Sequence, residues 1–544
     1  MLAMRRISVG LFLWLSITSY AAGPNVAFFY GANPPWDELR AFEIVVVEPA
    51  HVGNPKAAST ASSQVFAYLS VGEVEYDRPY AKDLPQGAVH GANEPWRSHV
   101  IDQTHPEWPR FFIDRIVAPL WQAGYRGFFL DTLDSFHLIS KTDEDRAKQV
   151  QGLAAVVRGI RLRFPAARLI FNRGFEILPE VHRDVYAVAA ESLFHGWDQK
   201  NRAYREVPEA DRVWLLRELE RVRADYNLPV IGIDYAPPGR RDLARDIAKK
   251  IAALGFTPWV TSSDLDQIGV GNFEVAPRKV LMLYDGGGTE ASLYASRRPQ
   301  AAAPLNTLGY TVEYADINKP LPAYPLVGRY AGIVSWFATD QAVRKPGVRE
   351  WLSRQREHGM RMAILGNFPF PLSDALASTF GLSAGLPRLP GALKVEVRDP
   401  LIANEAAPES YTLFTPLRAH QASTTLLRLR SDRGDTMDAA ALMPWGGYVL
   451  APYESAPLSG ARGERWLIQA GEFLRRTLAL PGVPAAAATI ESAPRRMLFH
   501  SPLEVSGCRS GADGTSLTGA ATAGHTRHEL KQNASERSSI ICAS

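Results

Sequence analysis

The sequence predicts an α/β protein, a (β/α)8 TIM barrel followed by a smaller flavodoxin-like or Rossmann-like α/β domain. Three observations predict it. From Pro24 to about Gly271, short apolar runs alternate with longer amphipathic stretches. The runs are apolar throughout rather than at every second residue, as in strands buried on both faces of a parallel sheet. Eight such units fit into roughly 250 residues, the usual size of a (β/α)8 barrel.

The strands follow in order. The first is Val26 to Tyr30, the second Ile44 to Val47, the third Val65 to Val71 and the fourth Gly127 to Leu130. The fifth is Leu169 to Phe171, the sixth Val185 to Ala190, the seventh Val230 to Ile233 and the eighth Phe256 to Val260. Helical patterns lie at Trp108 to Ala123, Glu144 to Phe164, Pro208 to Tyr226 and Arg241 to Leu254. Pro208 suits a helix start and Gly255 a C-terminal cap. Such alternation implies right-handed crossovers and a parallel sheet. An open doubly wound sheet is the alternative architecture.

A second unit is expected over 278–501. Lys279 to Tyr284 reads as a strand and leads into Asp285-Gly286-Gly287-Gly288, followed by a helix through Leu308. Further strands are expected at Thr311 to Tyr314, Gly332 to Trp336 and Met362 to Leu365, with a helix at Gly347 to His358. Strand-like pieces and turns fill Leu389 to Pro452, and Trp466 to Thr477 reads as a helix. The glycine run lacks the spacing of a dinucleotide loop and the lysine of a phosphate loop, so it reads as a turn. The tail over 506–544 is rich in Gly, Ser, Ala and Thr, a composition that favours disorder.

The first 21 residues have the three parts of a signal peptide: Arg5 and Arg6, an apolar run from Ile7 to Thr18, and small residues to Ala22. Export to the periplasm or beyond is the expectation. The run is short for a membrane span, and no later segment has the length for one. Over the 544 residues, 60 basic side chains nearly balance 57 acidic ones, for a net charge of +3. That excess argues against a nucleic-acid partner. The two cysteines, Cys508 and Cys542, sit near the C-terminus, so the body has neither disulfide nor cysteine metal site.

In a (β/α)8 barrel the reacting groups sit at the C-terminal ends of strands. The polar residues there are Gly31, Glu48, Glu73, Asp131, Asn172, Glu191, Asp234 and Ser262-Ser263-Asp264. An acidic rim with almost no His or Cys suits glycosidic bond cleavage. One carboxyl protonates the leaving oxygen and a second acts as nucleophile or general base, and neither role needs a metal or cofactor. Asp131, closing GFFLD, and Glu191, in VAAESLF, are the candidate catalytic pair. Each has a plainer reading as a helix cap or arginine partner.

Glu73 and Asp234 are candidate substrate hydrogen-bonders or alternates for the acid role, Asn172 another polar contact, and Asp134 either an orienter of Asp131 or a helix start. Tyr30, Tyr68, Trp197, Tyr235 and Trp259 lie in or just after strands, where aromatic faces can stack on sugar rings; core packing is the competing reading. No metal-ligand spacing is present, nor any H-E-x-x-H or G-x-S-x-G motif.

Four stretches carry a family resemblance: YLSVGEVE at Tyr68 to Glu75, GFFLDTLDSF at Gly127 to Phe136, IFNRGFEILPE at Ile170 to Glu180 and AAESLF at Ala189 to Phe194. They resemble the hydrolase domain of the periplasmic Pel exopolysaccharide proteins of Gram-negative bacteria, related to the endo-α-1,4-polygalactosaminidases. The resemblance covers Asn25 to about Asn272, and more loosely Arg278 to about Ser501. It implies an endo-acting α-1,4-N-acetylgalactosaminidase on a galactosamine-rich polysaccharide, with Glu191 catalytic and Asp131 its partner. It also implies an outer-membrane tetratricopeptide-repeat export protein as partner. An acidic cleft suits a polymer bearing free amines.

Full-length members of that family continue into a metal-dependent deacetylase domain. Here the chain turns to low-complexity sequence after Leu498-Phe499-His500-Ser501, as a truncated or frameshifted end would read, so hydrolysis without deacetylation is expected. The competing function is a non-catalytic carbohydrate-binding or scaffold protein of polysaccharide export. The presence of both Asp131 and Glu191 favours the enzyme.

Overall fold

The structure, a computed structural model, describes residues 23–286, 302–337, 346–372, 375–384, 389–391, 393–399, 411–414, 417–420, 424–449, 471 and 473–478. The signal-peptide pattern, the tail, both cysteines, Gly287, Gly288 and Trp466 lie outside the described residues.

The eight apolar runs form one parallel sheet. Its strands are β1 (Val26–Phe29), β2 (Ile44–Val47), β3 (Gln64–Ser70), β4 (Gly127–Asp131), β5 (Arg168–Asn172), β6 (Ala187–Glu191), β7 (Val230–Tyr235) and β8 (Thr257–Thr261). Their spatial order is their chain order, and every neighbouring pair is parallel. The sheet curls until β8 returns beside β1, where Tyr30 N donates to Leu265 O over 2.7 Å. The result is a nearly closed (β/α)8 barrel, not an open doubly wound sheet.

The runs are continuously apolar because one face points into the barrel and the other under the helices. Phe28 and Phe129 meet edge to face, their ring centroids 5.0 Å apart. Gly127 opens β4 because Phe66 presses on it; a Cβ there would stand 2.3 Å from the Phe66 ring.

The outer helices follow the predicted patterns closely. α1 runs as α-helix over Trp108–Phe111, widens to a π-helical segment over Phe112–Val117, and returns to α over Ala118–Ala123. α2 (Asp143–Arg163) starts with a capping box, in which Thr142 and Asp145 each accept the other's backbone N–H. α3 spans Glu209–Tyr226. α4 (Arg241–Ala253) buries Ala244, Ile247, Ala248 and Ile251, a stripe at helical spacing laid against the sheet.

Two hairpins that the sequence patterns did not reveal rise from the C-terminal ends of the barrel strands. After β3, strands Glu73–Glu75, Ser98–Ile101 and Val89–Asn93 make a small antiparallel sheet. After β6, His195–Asp198 pairs antiparallel with Ala203–Glu206.

The second unit centres on another eight-stranded sheet. Its strands are β9 (Lys279–Tyr284), β10 (Thr311–Asp316), β11 (Gly332–Phe337), β12 (Met362–Gly366), β13 (Leu393–Arg398), β14 (Thr424–Ser431), β15 (Thr436–Met443) and β16 (Gly446–Val449). The spatial order is β10-β9-β11-β12-β16-β15-β14-β13. The first five are parallel in turn, and β16 begins an antiparallel meander through β15, β14 and β13. This mixed sheet departs from an all-parallel flavodoxin-like reading, because the strand-like pieces after Leu389 join as hairpins rather than through helices.

Alternate residues of β9 and β11 enter two separate cores. Leu281, Leu283 and Ile333 pack on one face, Val280, Met282 and Val334 on the other. The unit grips the barrel beside β1. Arg329 Nη1 donates to Asn33 O at 2.7 Å and Nη2 to Ala32 O at 3.2 Å, with its guanidinium over the Phe29 ring. Among the described residues, no helix is long and apolar enough to cross a membrane.

Candidate active site

The strand ends converge at the C-terminal mouth of the barrel. β4 delivers Asp131, β5 Asn172, β6 Glu191 and β7 Tyr235, while β3 contributes Tyr68 and the end of β1 Tyr30. Parallel strands in register bring these ends to one level, which is why reacting groups of barrels gather there.

One side chain joins the two carboxylates. Asn172 Nδ2 donates to Asp131 Oδ1 at 2.8 Å and to Glu191 Oε1 at 3.1 Å. The remaining oxygens are held by phenols: Tyr68 OH donates to Asp131 Oδ2 at 3.0 Å, and Tyr235 OH to Glu191 Oε2 at 2.6 Å. The Tyr30 and Tyr68 rings lie 5.0 Å apart. Tyr30, Tyr68 and Tyr235 all have pKa values well above the usual phenol range, first through burial and then through the nearby carboxylates, so they stay protonated donors.

Burial raises the proton affinity of both carboxyls. Burial, and next the charge of Asp131, push Glu191 up to about 7 against the pull of Tyr235, Arg173 and Asn172. Burial also raises Asp131, opposed by the Thr132 backbone, Asn172 and Tyr68. Two carboxylates sharing one donor titrate as a pair, one proton leaving well before the other. A pair of this kind can hold one proton beside an ionised oxygen, which is the arrangement acid-assisted bond cleavage needs.

The turns that follow aim these groups. Thr132 and Arg173, directly after Asp131 and Asn172, sit at φ of 60° and 56°. A β-branched residue rarely adopts that conformation. Thr132 is held there by its hydroxyl, which bonds Asp131 O at 2.6 Å, Ser70 Oγ at 2.8 Å and the Gly72 N–H at 2.8 Å. Gly72 admits this approach, since a Cβ would stand 2.1 Å from Thr132 O. Arg173 Nη2 donates to Glu191 O at 2.5 Å, and Nη1 lies 3.6 Å from Asp134. Sequence reasoning missed Arg173; its signal was a basic residue straight after the strand-end Asn172.

Six predicted site residues therefore meet: Tyr30, Tyr68, Asp131, Asn172, Glu191 and Tyr235. Asp134 lies at the edge, half exposed beside Arg173. Trp197 is partly buried on the hairpin after β6, 4.8 Å edge-on to Tyr204.

Three predicted substrate contacts are corrected. Asp234 is 0% exposed and takes the backbone N–H groups of Leu193, Phe194 and His195, each at 2.7 Å. It ties down the chain after Glu191 and, wholly buried, meets no sugar. Glu73 is buried and accepts from Asn93 at 3.0 Å, Ser135 at 2.6 Å and Ser98. Trp259 is fully buried, edge-on to Phe42 at 5.3 Å, and belongs to the core. Glu48, also on the predicted rim, is bound by Arg78 through both oxygens at 2.8 and 2.9 Å. Among the described residues, no three His, Cys, Asp or Glu are grouped to hold a metal ion.

Comparison with known proteins gives this mouth a context. The sequence description of glycoside-hydrolase family GH114 matches residues 18–275. The solved glycoside hydrolase domain of PelA from Pseudomonas aeruginosa is 41% identical, covering 46% of this chain and 98% of that one, with a TM-score of 0.42. Ega3 from Aspergillus fumigatus, solved in complex with galactosamine, is 16% identical, covering 45% of this chain and 94% of its own, with a TM-score of 0.32. No curated protein matches the chain.

Proposed function

The chain belongs to glycoside-hydrolase family GH114, and we propose that its barrel cuts an α-1,4-linked galactosamine and N-acetylgalactosamine polymer from within, using Glu191 and Asp131. The observation that carries the reading is the amide of Asn172 bridging the two carboxyls. Bonded to one nitrogen, Asp131 Oδ1 and Glu191 Oε1 are at most about 5.9 Å apart, the two hydrogen-bond lengths together. That favours the ~5–5.5 Å separation of retaining enzymes over the ~6.5–9.5 Å that leaves room for an inverting water.

Glu191, whose carboxyl burial pushes up to about 7, donates its proton to the glycosidic oxygen. As that C–O bond breaks, Asp131 Oδ forms a bond to the anomeric carbon, giving a glycosyl ester. Glu191, now ionised, takes a proton from water. The water oxygen attacks the same carbon and the Asp131 ester bond breaks. Tyr68 and Asn172 steady the Asp131 carboxylate, and Tyr235 orients Glu191. The amine-bearing sugar follows from the resemblance to the Pel proteins and suits a mouth that carries Asp131, Asp134 and Glu191. The export pattern at Arg5 to Ala22 supports an activity outside the cytoplasm.

The test is a degradation assay with partly N-acetylated α-1,4-galactosaminan, read by mass spectrometry. Wild type is expected to release oligosaccharides, first as the α-anomer by NMR, and Glu191→Gln to release none while unfolding cooperatively. Products from that variant would remove Glu191 from the chemistry. A folded wild type that binds the polymer without cutting it would favour the carbohydrate-binding alternative.

A further inference from the structure

The mechanism leaves Glu73 and the hairpin around it unused. Glu73 is 5% exposed, and its three donors come from two places. Asn93 and Ser98 are paired across the hairpin and flank its tip, while Ser135 lies in the loop after β4, four residues past Asp131. One buried carboxylate thus fastens the tip to the loop that carries the proposed nucleophile. The turn itself is ordered: Arg97 N donates to Glu94 O at 3.1 Å, and Tyr76 N to Arg97 O at 3.0 Å.

What this fastening presents is Trp96. It is 59% exposed, more than any other described tryptophan, and its ring has no aromatic partner among the described residues. Trp214, the next most exposed at 45%, packs edge-on to Phe175. A lone exposed aromatic is ordinary. A flat apolar ring held at the tip of a pinned hairpin, on the face where Asp131 and Glu191 open, is a binding surface already paid for in entropy.

We propose that the hairpin Val89–Ile101 is a substrate arm, and that Trp96 stacks on a sugar ring of the polymer several units from the cleaved bond. The proposal rests on the glycosidase reading above. The apolar C–H face of a hexosamine suits the indole ring, and its ammonium group adds a cation–π attraction. A second tryptophan hairpin, carrying Trp197, stands after β6, so the catalytic pair lies between two arms. A chain crossing from one arm to the other is cut internally.

The experiment compares kcat/KM on long galactosaminan with kcat/KM on the trimer, using the full chain. Trp96→Ala is expected to lower the polymer-to-trimer ratio about tenfold, as loss of one stacked ring would, with Trp96→Phe intermediate. Trp214→Ala, on α3, is expected to leave the ratio in place. A ratio unchanged in Trp96→Ala, or lowered equally by Trp214→Ala, overturns the proposal. Calorimetric binding of polymer and trimer to Glu191→Gln, with and without Trp96→Ala, separates the two readings. Polymer binding that depends on Trp96 in a chain whose wild type cuts nothing keeps the arm and removes the hydrolase. Polymer binding indifferent to Trp96 removes the arm alone, and polymer that binds to neither chain removes both.

Discussion

The floor of the mouth and the collar of loops around it are built from the same residue type. Asp131 and Glu191 stand on the floor, while Asp234 and Glu73 stand in the collar, all at or just after strand ends and all largely out of water. Their donors separate them. Asp234 is saturated by three rigid N–H groups, and Glu73 by three side chains that tie two loops together. Asp131 and Glu191 share the single amide of Asn172, which draws two like charges together; Asp131 also takes Tyr68 and the Thr132 backbone, and Glu191 takes Tyr235. A carboxylate whose donors all belong to the loops it ties together holds structure, and one that shares its donor with a like charge is available for chemistry.

Mutation should divide floor from collar most sharply in rate. Asp131→Asn is expected to cut kcat by roughly 10³-fold or more with little loss of stability. Asp234→Ala is expected to do the reverse first, costing about 3 kcal/mol in urea unfolding by stranding three buried N–H groups. Equal stability losses in the two variants would erase the distinction.

The next effect is pH dependence. Glu191 has its pKa raised from 4.5 to about 7 in the fold. For a carboxyl raised in this way, the stabilising protonated form is fully present below pH 4.5, and its contribution is lost as pH rises through about 7. Glu191→Gln is therefore expected to gain on wild type between pH 5 and pH 8, by at most about 2 kcal/mol after solvent screening. Melting curves at both pH values check this. The same group places the alkaline limb of kcat/KM near pH 7, since the acid must carry its proton. No comparable limb should arise from the collar, because Glu73 and Asp234 touch no reacting atom.

The smallest expected change comes from Tyr235→Phe. It removes a hydrogen bond that lowers the Glu191 pKa, so the alkaline limb should move up by several tenths of a unit, with kcat down about tenfold. A limb that stays in place would mean that the phenol does not steady Glu191.

Much of this was legible in the chain. The apolar runs mark the strands to within a residue or two because burial on both faces leaves no room for alternation. GFFLD and VAAE announce Asp131 and Glu191 because barrel strands end where polar groups can meet solvent. Arg173 was legible only as a basic residue after a strand end, since its contact is with a carbonyl on the next strand. The hairpins were not legible either, because their short strands carry little hydrophobic pattern: Val89–Asn93 is exposed or half-exposed throughout.

The sequence by itself determined the barrel, the level at which its strand ends meet, and the acidic character of the mouth, because strand period and burial are local properties of the chain. Only the tertiary structure decided which acids share a donor at the mouth and which brace loops. That choice depends on donors brought from 20 to 62 residues away, as Asn93 and Ser135 are to Glu73, and no local pattern records which lone pairs a distant N–H or O–H will take.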